Sequence, residues 1–399
     1  MDKQEKTTDS LTPAVSVTGK PGKPKKSALK IILIIAGIIV ALAVAAAAGI
    51  YAYYRHIFSK ISLPETEGDI IPPGSGEEFD TDDPDDSWII DDSSGGTSDP
   101  TVSGGDPSIS GGDTSSPDVT TAEQKDPATI SWPEDLKPLG DDGLINILLV
   151  GQDNGNFDKR GRSDSMILVS VNPKTGKISM ISFIRETYVQ IGNGYADNRL
   201  NVAYKFGGFN LLFDVIRRNF GITCDYGIAV NFSSFKNIID TLGGVDLTFT
   251  EKEVTYLVEK CKVGKMPDGS TIQVGLNKKV PSDTALAYAR IRKIDSDFNR
   301  AARQRKLILS VYNSLKGASL STILDLTGQI ADFIRVYGMN STELISLVTQ
   351  LYPLLGNNID GHVVPSKGEY TNVKVRGMAV LLPDLEKIRG SLKTKLPLE

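Results

Sequence analysis

The chain has 399 residues, 44 Lys and Arg against 49 Asp and Glu, and a formal net charge of −5. Its two histidines, His56 and His362, exclude a histidine-rich zinc site. Neither a Gly-x-Ser-x-Gly elbow nor a Gly-x-x-x-x-Gly-Lys-Ser/Thr loop occurs, so catalysis, if present, rests on arginine, carboxylate and metal.

The charge is unevenly spread. Residues 1–30 form a polar tail with seven lysines and three acids, and residues 31–54 carry no charge. A bilayer crossing needs roughly 20 apolar residues, so one transmembrane helix is predicted over 31–54. Lys20, Lys23, Lys25, Lys26 and Lys30 precede it, which predicts a cytoplasmic N-terminus and an extracellular remainder in the cell membrane. The rival is a cleaved signal peptide ending near the small residues Ala45 to Gly49. Signal h-regions run only about 7–15 residues, so an uncleaved signal-anchor is expected. Residues 55–142 read as an extracellular linker. From 61 to 142 there are 22 acids, two lysines and many Ser, Gly and Pro. Such a stretch cannot bury enough apolar surface to offset its ordering entropy, so a disordered spacer is expected. Trp88 and Trp132 stand isolated in it.

Residues 143–399 hold 33 basic and 24 acidic side chains, about nine units positive. That asymmetry points to anionic partners. An extracellular location favours phospholipid-linked or anionic polymers over nucleic acid. Cys224 and Cys261 are read equally as a disulfide or as two buried thiols.

In chain order, Ile145 to Val150 is a short apolar run closed by Gly151 and reads as a buried strand. Ser165 to Val171 and Lys177 to Phe183 are two more, joined by the turn Asn172-Pro173-Lys174-Thr175-Gly176. A helix is predicted to begin within Arg199 to Phe206 and to show a wide apolar face over Phe209 to Asn219, with Gly221 at its C-terminal end. Tyr226 to Asn231 reads as a strand. Ser233 is positioned to cap a helix over Ser234 to Thr241, and Val245 to Phe249 follows as a strand. Alternating strands and helices predict an α/β fold, a layered α/β/α domain with a central mixed sheet. Leu320 to Ile334 and Thr342 to Leu355 read as apolar helices. The apolar surplus is either ordinary core or a pocket for a polyprenyl tail, with Phe209, Leu212, Phe213 and Ile216 as its walls.

The charged residues set in apolar text carry the chemistry. Arg290 and Arg292 lie two apart in Leu286–Arg292, which on a strand puts both on one face. Asp297, Arg300, Arg303 and Gln304 make one stripe on a helix. An arginine fork matches phosphate oxygens, so the cluster suits a pyrophosphate; a solvated salt-bridge face with Asp295 and Asp297 is the alternative. Asp153 follows the first strand and Asp164 begins the next. Two carboxylates without a histidine suit a hard cation such as Mg²⁺, or are simply turn aspartates.

The runs Leu149-Val150-Gly151-Gln152-Asp153, Arg162-Ser163-Asp164, Phe183-Ile184-Arg185-Glu186-Thr187 and Arg199-Leu200-Asn201-Val202-Ala203-Tyr204 occur in a fixed order. Leu242-Gly243-Gly244-Val245, Ala289-Arg290-Ile291-Arg292 and Asp297-Phe298-Asn299-Arg300-Ala301-Ala302-Arg303-Gln304 follow them. Together they resemble the LytR-CpsA-Psr family of cell-envelope phosphotransferases. The resemblance implies transfer of an anionic glycopolymer, such as teichoic acid or capsular polysaccharide, from a polyprenyl-pyrophosphate carrier to peptidoglycan. It implies Asp153 and Asp164 as Mg²⁺ ligands, and Arg162, Arg185, Arg290, Arg292, Arg300 and Arg303 as a pyrophosphate clamp. Gln304, Arg199 and Asn201 stand beside the clamp, and Asp297 activates the acceptor hydroxyl. The chain departs from the family pattern at three places. Gly155 stands where an arginine is usual, with Arg160 the nearest replacement; Ile184-Arg185-Glu186 replaces Pro-Arg-Asp; and Asn198-Arg199 replaces an acid-lysine pair. A hydrolase of the same lipid pyrophosphate and a non-catalytic envelope-binding or regulatory protein are the alternative functions.

Overall fold

The computed structural model describes residues 51–56, 71–74, 122–133, 136–140, 143–153, 157 and 160–398. The predicted cytoplasmic tail, nearly all of the predicted transmembrane span and most of the linker lie outside the described residues. Among the described residues no helix is long and apolar enough to cross a membrane.

The strands are β1 (Glu123–Lys125), β2 (Ile145–Gln152), β3 (Ser163–Val171), β4 (Ile178–Phe183), β5 (Tyr188–Val189), β6 (Asn198–Arg199), β7 (Tyr226–Val230), β8 (Val245–Phe249), β9 (Gly275–Val280), β10 (Arg335–Tyr337), β11 (Ile359–Val364), β12 (Tyr370–Val375) and β13 (Met378–Pro383). The helices are α1 (Val202–Phe220), α2 (Phe232–Thr241), α3 (Glu251–Thr255), α4 (Ser282–Ala289), α5 (Asp297–Ser314), α6 (Leu320–Ile330), α7 (Ser341–Leu351) and α8 (Leu385–Lys395). A six-stranded sheet in the order β10-β7-β2-β3-β4-β11 forms the centre. It is mixed, as expected: β7 runs parallel to β2 and β11 parallel to β4, while β3 is antiparallel to both β2 and β4.

The period-two alternation of the strands sorts the core onto two faces. Leu148, Val150, Met166, Leu168, Ile181 and Phe183 join one cluster with Leu211, Leu212, Val215 and Ile216 of α1 and Ile388 and Leu392 of α8. Ile167, Val171, Ile178 and Met180 face the other way, against Ile308 and Leu309 of α5. Ile147 joins that side with Leu324 of α6 and Leu344 and Leu347 of α7. All six residues of β4 are buried, as a strand covered on both faces requires. The predicted α/β/α layering is therefore the architecture of this domain.

Several local expectations change. The segment Leu286–Arg292 is not a strand: Ser282–Ala289 is helix α4, and Arg290 caps its end. Asn231, not Ser233, caps α2, its side chain accepting from the Ser234 amide at 2.8 Å. Helix α1 is broken at Gly207 and Gly208, whose φ/ψ are non-helical, and closes on Gly221 at φ 75°. The linker also ends earlier than residue 142. β1 pairs parallel with β12, Trp132 stacks on Tyr188 at 6.1 Å and donates to Asp197 Oδ2 at 2.6 Å, and Leu139 is buried in the main core. Residues 122–133 and 136–140 therefore belong to the fold. Cys224 and Cys261 are not joined by a disulfide; Cys224 is buried and Cys261 half-buried.

Gly227 on β7 lets α1 approach the sheet, because an added Cβ would run into the Phe209 ring. Gly227→Ala is expected to destabilise the fold by about 1–3 kcal/mol through overpacking, read as a lower midpoint in urea unfolding; an unchanged midpoint would show the ring free to move.

Candidate functional site

Sheet topology gathers the charged residues. The ends of β2 and β4 and the beginning of the antiparallel β3 share one end of the sheet. Asp153 follows β2, Asp164 lies at the start of β3, and Arg185 and Glu186 follow β4. Ligands of open α/β sheets bind outside the carboxyl ends of strands. Helix α5 starts at the same place, since Asp297 in its first turn joins the cluster below. Arg305 of α5, 6% exposed, donates to Ser182 Oγ of β4 at 2.9 Å and fixes the helix on that strand.

One ion-pair chain crosses the sheet end. Arg185 is 5% exposed; its Nη1 donates to Asp164 Oδ1 at 2.7 Å and its Nε to Glu186 Oε1 at 2.5 Å. Arg292 donates to the same Glu186 oxygen at 3.4 Å and to Asp297 Oδ1 at 3.3 Å. Arg300, also buried, donates to that Asp297 oxygen at 2.9 Å. Beside the chain, the Arg162 amide and Nε reach the two oxygens of Asp153 at 2.9 and 3.3 Å. Among the clamp candidates, Arg185, Arg292 and Arg300 thus come together, with Glu186 and Asp297 between them and Asp164 at the Arg185 end.

The remaining candidates are placed differently. Arg303 Nε donates to Glu253 at 2.7 Å, Nη2 pairs with Asp295 and Nη1 donates to the Ile291 carbonyl at 3.1 Å. It ties the loop after α4 to α3. Arg290 is exposed and stacks over Phe232 at 4.3 Å. Gln304 Nε2 reaches the Ala289 carbonyl at 3.4 Å, and the buried Arg199 donates to the Ala379 carbonyl at 3.1 Å. Asn201 is buried; its carbonyl accepts from Ser163 Oγ at 3.2 Å. Phe209, Leu212 and Ile216 are buried members of the main core, and Phe213 packs against it.

Glu186 Oε2, Arg300 Nε and Asn201 Oδ1 are buried here without a partner, and so are the three guanidinium nitrogens of Arg160, two residues before Arg162. A buried donor or acceptor left unmade costs about 1–3 kcal/mol, so such a group calls for a ligand. Burial, and next Asp297, push the Glu186 carboxyl up from 4.5 to about 7, against Arg185, Arg300 and Arg199. Among the described residues no three His, Cys, Asp or Glu side chains cluster as a metal cage. Mg²⁺ is commonly held by one or two carboxylates plus substrate phosphates, so Asp153 and Asp164 fit it in donor type and number.

Two buried residues escaped the sequence reading, Glu253 and Arg305. Thr250 and Glu253 form a capping box on α3, a signal legible as Thr-x-x-Glu. Nothing local announces Arg305, whose partner lies 123 residues away.

A model of the LytR_cpsA_psr family matches residues 110–394. A Bacillus licheniformis protein named polyisoprenyl-teichoic acid–peptidoglycan teichoic acid transferase TagU is 39% identical over 182 residues, 45% of this chain and 54% of that protein. The Bacillus subtilis protein of the same name is 37% identical over the same shares. The chain therefore spans about half the length of the curated relatives it matches. Among solved structures, protein gbs0355 from Streptococcus agalactiae superposes with a TM-score of 0.54 at 23% identity, covering 65% of this chain and 90% of that one. Bacillus subtilis TagV gives 0.50 at 25% identity, covering 64% and 98%. These likenesses agree with the mixed-sheet fold described above.

Between pH 4.5 and about 7, folded Glu186 keeps a proton that the unfolded chain has released. This group's contribution therefore favours the fold fully below about 4.5 and is lost as pH rises through about 7. Glu186→Gln stays neutral, so its melting temperature should gain on the wild type across that window. A difference that stays constant with pH would contradict the burial argument.

Proposed function

The chain belongs to the LytR_cpsA_psr family, and on that footing we propose that it is a membrane-anchored phosphotransferase. It transfers an anionic glycopolymer, of the teichoic acid or capsular class, from a polyprenyl-pyrophosphate carrier to peptidoglycan on the outer side of the cell membrane. The names of the TagU relatives support the substrate class. The observation that carries the reading is the Asp164–Arg185–Glu186–Arg292–Asp297–Arg300 chain, in which Arg185, Glu186 and Arg300 are buried and Glu186 Oε2 and Arg300 Nε lack a partner.

In the proposed reaction a sugar hydroxyl of peptidoglycan attacks the phosphorus that carries the glycan. The new P–O bond forms a phosphodiester, the bond to the bridging oxygen breaks, and polyprenyl phosphate leaves with the electron pair. The hydroxyl proton passes to a carboxylate at the site, Asp297 by family resemblance. Arg185, Arg292 and Arg300 bind the non-bridging oxygens and orient them, with Arg162 beside Asp153 and Arg290 at the exposed rim. Phosphoryl transfer depends chiefly on such positioning and charge neutralisation. Asp153 and Asp164 would hold Mg²⁺, which when bound offsets the negative charge of the pyrophosphate. The apolar tail of the carrier would lie against the half-buried Phe213 side of α1.

The test is mass spectrometry of peptidoglycan fragments incubated with the full chain, Mg²⁺ and a polyprenyl-pyrophosphate-linked glycan. Glycan joined to the wall sugar through phosphate, and lost with chelator, is expected. Release of lipid phosphate without joined glycan would identify a hydrolase. Arg292→Ala and Arg300→Ala are each expected to lower kcat/KM by ~10²-fold, the scale of losing one preorganised charge contact. Near-normal rates in both would remove the clamp assignment.

A further inference from the structure

The β8–β9 hairpin stands outside the six-stranded sheet and closes its own core with Ile239, Leu257, Ile272 and Tyr288. On β8 the alternation is ordinary, with Val245, Leu247 and Phe249 buried and Asp246 and Thr248 exposed. Along the entry to β9 it is inverted. Gly275 and Asn277 occupy the half-buried positions, while Val274 and Leu276 are 62% and 63% exposed. Besides Tyr51 and Tyr53, these are the exposed large apolar side chains among the described residues.

A one-residue slip would exchange the two faces, so the display depends on a fixed register. The register is held. Asn277 Oδ1 accepts from the Gln273 amide at 2.9 Å, and its Nδ2 donates to the Gln273 and Gly275 carbonyls at 2.7 and 2.9 Å. Gly275, at φ +95°, adopts a turn that other residues rarely take. Gly275 and Leu276 then pair with Phe249 and Thr248. The outward apolar pair is thus specified by the Asn277 bonds and the Gly275 turn.

Exposed lysines lie on the same strand and on the segment bonded to its approach. Lys278 and Lys279 follow on the same strand. Lys262 and Lys265 lie on the neighbouring segment, which is joined through the Ile272 amide to the Gly264 carbonyl at 2.9 Å, and Lys260 precedes them. Of the exposed acids nearby, Asp246 accepts the Lys279 amide and Asp268 is bonded to Ser270; Glu251 and Glu259 are the others. Lysines on a strand edge oppose pairing with another copy of that edge. An apolar pair accompanied by lysines instead matches a lipid interface, where alkyl groups enter the acyl boundary and ammonium groups stay among anionic headgroups.

We propose that the Val274–Leu276 hairpin docks the folded domain onto an anionic phospholipid surface. The contact is independent of the proposed chemistry, and it would keep the sheet-end cluster close to a lipid-borne substrate.

The test is hydrogen exchange on the full chain mixed with vesicles of phosphatidylcholine alone or with added phosphatidylglycerol. Amides of residues 272–280 should exchange more slowly with the anionic vesicles, and high salt should weaken the effect. The doubly substituted Val274→Asp, Leu276→Asp chain should lose the protection while keeping its melting temperature and its exchange elsewhere, since both side chains are exposed. Equal exchange with the two vesicles, or protection retained in the variant, would overturn the proposal. Protection by soluble polyphosphate without lipid would overturn it in favour of a polymer-binding surface.

Discussion

Arg185 is held between Asp164 and Glu186 at the end of the central sheet, and the site depends on that bond pattern. A buried guanidinium is costly in an apolar setting unless its charge is matched and its donors are used. Here the match comes from both directions along the chain: Asp164 from the strand beside β4, and Glu186 from the next residue. Glu186 then reaches Arg292, and Asp297 joins Arg292 to Arg300. Three chain segments far apart in sequence meet through alternating charge. Removing one member takes an ion pair from each of its neighbours, so the charges of the cluster are coupled.

That coupling bears on how the cluster would take the proposed diphosphate. Its charges alternate, yet Glu186 Oε2 and Arg300 Nε stay buried without partners. A doubly charged diphosphate can give new acceptors to the arginine donors, and protonation of Glu186 would lessen its competition for Arg185 and Arg292. The rise of that carboxyl to about 7, caused first by burial, puts the balance within reach of ordinary pH. Arg303 plays another part, because its three nitrogens are already committed to Glu253, Asp295 and the Ile291 carbonyl.

Much of the central sheet was legible in the sequence because its strands are buried on both faces. Apolar runs such as Ile145 to Val150 and Lys177 to Phe183 carry their own signal, and Gly221 marks the end of α1. The segment Leu286–Arg292 misled because Leu286, Tyr288, Arg290 and Arg292 recur every two residues. The helix there is set by its start after Pro281 and by the buried pair Ala285 and Tyr288, three apart on one face. With that change Arg290 caps the helix, exposed and over Phe232, while Arg292 joins the ion-pair chain. The fold's start was obscured by acidic composition, although β1, Trp132 and Leu139 pack on the domain. The arginines of the cluster could be read as a group; their assignment to clamp or scaffold could not, because it depends on distant partners such as Glu253 and Ser182.

The central claim is that the ion-pair chain is a diphosphate site. Calorimetric titration of the full chain with geranyl pyrophosphate in the presence of Mg²⁺ tests it most directly, with geranyl monophosphate and geraniol as references. The account predicts saturable binding of the pyrophosphate that weakens with salt, weaker binding of the monophosphate and none of the alcohol. Equal binding of all three, or no binding of the pyrophosphate, would contradict it.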